Sequence, residues 1–179
     1  MDSNHSIIEL CTKCKWQRKF MLDAPACGRC SSVLIPIYAP LAPVVKKLAA
    51  CGFNMAGAGV YWHVAYDNGV ISASSYKLRI ELRNVIPPHM FIGLTECYEH
   101  FEYITRSVGD EPSDILFRMA AGSPIQDAVM ACILYSCSIP DVHRVVEIES
   151  AAIKTLNSWA KRLNPEAYRA VLTLLGMSY

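Results

Sequence analysis

Cys11-Thr-Lys-Cys14 and, twelve residues on, Cys27-Gly-Arg-Cys30 form the stretch on which the reading of this chain turns. Each pair has the spacing of a tight turn whose backbone N–H groups help to neutralise thiolate charge. Four soft thiolates brought together make a closed tetrahedral shell, the ligand set that Zn2+ prefers. The intervening Lys15-Trp-Gln-Arg-Lys-Phe-Met-Leu22 has few apolar side chains and leaves the first turn as one arm of a ribbon. Metal binding then supplies folding free energy that so small a core cannot. We therefore expect one structural Zn2+ on Cys11, Cys14, Cys27 and Cys30. Four thiolates leave no coordination position for water or substrate, which argues against a catalytic metal. Neither pair precedes a helix in a βαβ pattern, so dithiol redox chemistry is the weaker reading.

Around the cysteines stand Lys13, Lys15, Arg18, Lys19 and Arg29, with Trp16 and Phe20 among them. Cations that meet phosphates and rings that stack on bases suit a nucleic-acid contact. The same residues also suit a ribbon whose lysines keep it soluble, whose aromatics fill its small core, and which docks on a protein. Glu9 and Asp23 partly offset the charge, so any salt dependence would be shallow. Lys46, Lys47, Lys77, Arg79 and Arg83 extend the patch if the outward face of their strand lies beside the ribbon.

The chain of 179 residues is 53% hydrophobic, enough for a substantial core and a small metal-stapled appendage. A net charge of +1 hides a division. Residues 1–95 carry ten Lys/Arg against five Asp/Glu, residues 96–149 three against ten, and residues 150–179 four against one. The expected surface is bipolar, basic toward the N-terminus and acidic in the middle. Cys51, Cys97, Cys132 and Cys137 sit among apolar neighbours without the spacing of a disulfide framework. Met1-Asp-Ser-Asn-His-Ser6 lacks a basic segment leading into an apolar one, and no apolar run is long enough to span a bilayer. The expected compartment is the cytoplasm, where thiols stay reduced.

Val33-Leu-Ile-Pro-Ile-Tyr38 reads as a buried extended connector from the ribbon into the main domain. Pro40 and Pro43 open a helix ending at Cys51-Gly52, and Asn54-Met-Ala-Gly-Ala-Gly59 reads as an irregular connector. Val60-Tyr66 and Tyr76-Arg83 read as strands about an Asp67-Asn-Gly69 turn, ragged or bulged because 70–75 is long. In the second strand Leu78, Ile80 and Leu82 alternate with Lys77, Arg79, Glu81 and Arg83, which face outward. Leu94, Cys97, Tyr98, Phe101 and Ile104 have helical spacing, with Glu96, Glu99 and Glu102 opposite. A short helix follows from Ser113 to Ala121. Ser123-Pro124 with Gln126 opens a largely apolar helix, Ile125 to Ser136. Pro140 opens a long amphipathic helix to about Leu163, its stripe interrupted once, at Glu149. Asn164-Pro165 caps the last helix, through Leu175-Gly176.

The pairs Cys11-Thr-Lys-Cys14 and Cys27-Gly-Arg-Cys30 resemble the two knuckles of zinc-ribbon proteins in general, over residues 7–35 only. Glycine commonly follows the second cysteine of such a knuckle; here Lys15 and Ser31 do. Nothing in residues 36–179 resembles a family. The expectation is an α+β protein: a four-cysteine zinc ribbon over residues 1–35, then a domain over 36–179 with a small β-hairpin/helix layer and a helical C-terminal half.

His63, His89, His100 and His143 form no ligand array with the carboxylates. Cys97 and His100 are spaced to share a helix face, but the cysteine belongs to an apolar stripe, where it is ordinarily a small hydrophobe. Gly52, Gly57 and Gly59 lack the pattern of a phosphate loop. The functional expectation is therefore a non-enzymatic zinc-containing factor that binds another protein. A nucleic-acid binder using the basic ribbon face is the alternative, and a small enzyme with an unrecognised site the third. An acidic docking face at 96–114 and a homodimer through the C-terminal helices are further expectations, with no membrane partner.

Overall fold

In the computed structural model, residues 7–21, 26–68, 70–83, 88–91, 93–94, 100–107, 129–138 and 144–177 are described. Among the described residues seven strands form one sheet: β1 (Ile7–Cys11), β2 (Gln17–Lys19), β3 (Leu34–Tyr38), β4 (Met55–Asp67), β5 (Val70–Leu82), β6 (Phe101–Ser107) and β7 (Val129–Ser138). Their spatial order is β2-β1-β3-β4-β5-β7-β6. Neighbours are antiparallel except β3 and β4. That parallel pair needs a crossover, and helix α1 (Ala42–Ala50) provides it. Helices α2 (Val145–Lys161) and α3 (Pro165–Leu174) end the chain, and α1 packs against both. The result is a mixed α/β fold with a β-rich N-terminal region carrying the cysteines and a C-terminal helical pair.

The core lies between the helices and one face of the sheet. Ile35 and Ile37 of β3, Leu78, Ile80 and Leu82 of β5 and Ile133 of β7 meet Val44, Val45 and Leu48 of α1 and Leu156 and Trp159 of α2. Phe53 is the pivot of an aromatic cluster, 5.5 Å from Phe91 and 5.6 Å from Tyr168, ring centre to ring centre. Asn164 caps α3 as its sequence suggests, its Oδ1 accepting from Glu166 N and Ala167 N ahead of Pro165 at the first helical position. The connector expected to be buried carries Leu34, Ile35, Ile37 and Tyr38 inward, while Val33 is half-exposed.

Four expectations are corrected. Residues 101–107 are a strand, not the end of a helix. Phe101 and Tyr103 share one face and pack on Tyr135 and Phe91, so the operative period is two. Residues 129–138 are likewise a strand; flanked by β5 and β6, Cys132 and Ile133 are both fully buried on opposite faces, and an apolar run buried on both sides has no alternation to read. The helical part of the C-terminal half is thus confined to the α2–α3 pair among the described residues; the helix expected over 113–121 lies outside them.

Third, the glycine-rich 54–59 segment is not a connector, since β4 begins at Met55. Gly57 and Gly59 stand opposite Glu81 and Arg79. Tyr61 lies back over Gly59, where a Cβ would come within 3.2 Å of its hydroxyl, and the Arg79 guanidinium sits 5.3 Å from the Tyr61 ring. The absent side chains make room for large ones. Fourth, Arg79 and Glu81 do not face solvent: they are 2% and 0% exposed and lie 3.8 Å apart. The hairpin itself is longer than its sequence suggests, pairing Asp67 with Val70 across a two-residue loop. The irregularity expected in it appears as register shifts at Ala65/Tyr66 and Met55/Gly57.

Candidate metal centre

Both knuckles are built the same way. Cys11 ends β1 and Cys27 precedes β3, each opening a turn. Cys11 N donates to Trp16 O at 2.8 Å, and Lys15 N donates back to Cys11 O at 2.9 Å. Cys27 N donates to Ser32 O and Ser31 N to Cys27 O, at the same two distances. The chain reverses through a left-handed residue just after the second cysteine, Lys15 at φ 63° and Ser31 at φ 57°. These are the positions where a ribbon commonly has glycine, so the backbone geometry is kept although the residue is not.

The turns aim four sulfurs at one point. All four lie within 4.8 Å of one another, with Cys11 and Cys30 Sγ 3.4 Å apart and Cys14 and Cys27 Sγ 3.5 Å apart. Metal–sulfur bonds of about 2.3 Å in a tetrahedron put the sulfurs about 3.8 Å from each other. The cluster is therefore close to the spacing that a tetrahedral thiolate site needs. Backbone N–H groups point at the sulfurs, Cys14 N at Cys11 Sγ and Arg29 N at Cys27 Sγ, both 3.4 Å.

Burial pushes the Cys11 thiol up to about 12. Hydrogen bonds from the Ser32 hydroxyl and N–H bring Cys30 down to about 6. At Cys27 burial opposes ionisation, but N–H groups of Arg29 and Cys30 outweigh it and the thiol falls below its usual range. A bound cation would add the attraction that the deeply placed Cys11 thiolate lacks. Cys11, Cys27 and Leu34 form a small core joined by Trp16 and Cys30. Trp16 thus belongs to the packing of the centre.

The expected contact residues are divided by the structure. Arg18 Nε donates to Glu9 Oε2 at 2.6 Å, with its guanidinium 5.7 Å from the Trp16 ring. The Lys15 ammonium donates to the Thr12 carbonyl and is half-buried, which lowers its proton affinity. Lys13, Lys19 and Arg29 are exposed. So are Ile7, Phe20, Met21 and Val33, and the β1–β2 pairing runs as far as Ile8 opposite Lys19. Ser32, invisible as a functional residue in sequence, is a positioning group for Cys30. A hydroxyl two residues after the last cysteine was the only signal.

Elsewhere, His100 is exposed at the start of β6 and meets Tyr135 edge-on at 5.9 Å, while Cys97 and most of the acidic 96–114 stretch lie outside the described residues. Glu149, the interruption in the α2 stripe, accepts from Tyr38 Oη at 2.5 Å and Tyr76 Oη at 3.3 Å. It also borders an open groove of about 560 Å3 between Pro40 and α2. The rest of that stripe, from Ala152 to Leu163, packs inside this chain's own core. Among the described residues, no helix is long and apolar enough to cross a membrane. No protein-family model, no curated protein and no solved structure matches the chain.

Proposed function

We propose that this is a non-enzymatic factor whose ribbon is locked by one Zn2+ on Cys11, Cys14, Cys27 and Cys30 and docks on a partner protein. The convergence of the four sulfurs carries the metal assignment. Zinc held by four thiolates has no open position, so its work is to fix shape. What it fixes is the β1–β2 edge of the sheet, and with it the exposed set Ile7, Phe20, Met21 and Val33 beside Lys13, Lys19 and Arg29. Apolar side chains rimmed by charge suit a protein interface. The compartment that fits is one that keeps thiols reduced.

A nucleic-acid contact is the second reading, favoured by exposed Lys19 next to exposed Phe20. Against it, Arg18 is engaged with Glu9 and Lys15 with the Thr12 carbonyl, so fewer cations are presented to phosphate than the sequence suggests. One experiment separates the two: affinity purification at near-physiological salt, with parallel shift assays on DNA and RNA. The docking reading expects a stoichiometric partner that is lost with Phe20→Asp and Met21→Asp and no shift. A salt-sensitive shift abolished by Lys13→Glu, Lys19→Glu and Arg29→Glu would replace it with the nucleic-acid reading.

A further inference from the structure

The two knuckles are near copies that differ in how they offset charge. Four thiolates and one divalent cation leave a net negative centre, and Cys11, at 0% exposure, is the sulfur that solvent helps least. In the second knuckle, Ser32 gives Cys30 a hydroxyl and an N–H donor. The matching position in the first knuckle is Trp16, which has no hydroxyl to donate, and its side chain instead packs on the cysteine core. What the first knuckle has is Lys15, in a backbone conformation that glycine adopts at no steric cost. Its ammonium is folded back on the carbonyl of Thr12, between Cys11 and Cys14, at the expense of side-chain freedom. Ser31, in the same left-handed position of the second knuckle, is exposed.

We propose that Lys15 is an outer-sphere cation of the metal centre, held across the first knuckle to offset the charge on Cys11 and Cys14 and so strengthen metal binding. This rests on the metal assignment above. It explains why a lysine occupies a strained turn position that glycine fills more easily, and why its ammonium is turned inward while Lys13 and Lys19 are exposed. Lys46 of α1 donates to Gln17 Oε1 of β2 at 2.8 Å.

The near-symmetry supplies the control. Lys15→Gly and Ser31→Gly relieve equivalent backbone strain, but only the first removes a charge. Lys15→Gln removes the charge and keeps the strain. Zinc affinity of the full chain and each variant, measured by competition with a colorimetric chelator at low and high salt, gives the readout. Lys15→Gly and Lys15→Gln are expected to bind about tenfold more weakly than Ser31→Gly, the size of effect typical of groups just outside the ligand shell. Lys15→Arg restores the affinity, and the gap narrows as salt screens it. Equal affinities for Lys15→Gly and Ser31→Gly would overturn the role of Lys15 and leave the metal assignment standing. A wild-type chain that takes up no zinc would overturn both.

Discussion

Beneath α1, α2 and α3 the sheet is held by a broad apolar layer that includes Leu48, Ile80, Ile133, Leu156 and Trp159, all buried. At the β2–β1 end, among the described residues, the cluster around the cysteines buries Cys11, Cys27 and Leu34, with Trp16 and Cys30 beside them. The two regions share β1 and β3: Cys11 and Leu34 belong to the cysteine cluster, while Leu10, Ile35 and Ile37 belong to the main core. The first region can fold by burial, at about 25 cal/mol for each Å2 of apolar surface removed from water. The second buries far less, and a metal on the four cysteines would supply what burial does not. A continuous sheet can therefore contain segments with separate sources of stability, coupled by the two strands they share.

The largest expected effect comes from stripping the metal. Structural zinc binds with roughly 10–16 kcal/mol of apparent free energy at neutral pH. Chelation should abolish hydrogen-exchange protection across residues 12–19 and 27–33 while that of α1 and β5 survives. Loss of both together would mean that the cores are one cooperative unit. Next is Trp159→Ala, which opens a cavity beside Phe91 and should cost about 3–5 kcal/mol in denaturant unfolding, with zinc affinity at subdenaturing conditions unchanged.

The division also explains what the sequence could and could not reveal. The ribbon was legible because its signal is local: two short spacings determine the ligand set, whatever the rest of the chain does. The α2 stripe and the Asn164-Pro165 cap are local as well. β6 and β7 were not, because Val129–Ser138 is a short run apolar on both faces and Phe101, Ile104 and their neighbours fit either period. Their strand state depends on pairing with β5, far away in sequence. Gly57 and Gly59 read as loop residues until the register puts them opposite Glu81 and Arg79. The same blindness hid Glu149, whose partners Tyr38 and Tyr76 come from β3 and β5.

That network gives a smaller, pH-dependent effect on the main core. Burial first, and the Glu149 carboxylate second, raise both tyrosines above their usual range. The folded state therefore favours the protonated phenols. Their stabilisation is complete below pH of about 10, where unfolded tyrosine titrates, and is lost as pH rises further. Alkaline unfolding should begin there and move to higher pH in Tyr76→Phe; an unchanged alkaline limb would exclude the network as its source.

The smallest effect expected is a gain. Ser31→Gly removes the steric cost of a left-handed serine, about 1 kcal/mol. Glycine's greater freedom in the unfolded chain offsets part of this, so a net rise of a few tenths of a kcal/mol in ribbon stability is expected by exchange at Cys27 and neighbouring amides. A clear loss would show that Ser31 makes a contact which outweighs its strain.

The most direct test of the account is metal content. The chain, purified without added zinc, should carry about one equivalent by elemental analysis and native mass spectrometry, and lose it when Cys14 and Cys27 are replaced by serine. A folded wild-type chain with no metal, or one whose metal survives both replacements, would contradict the assignment of Cys11, Cys14, Cys27 and Cys30 as its ligands.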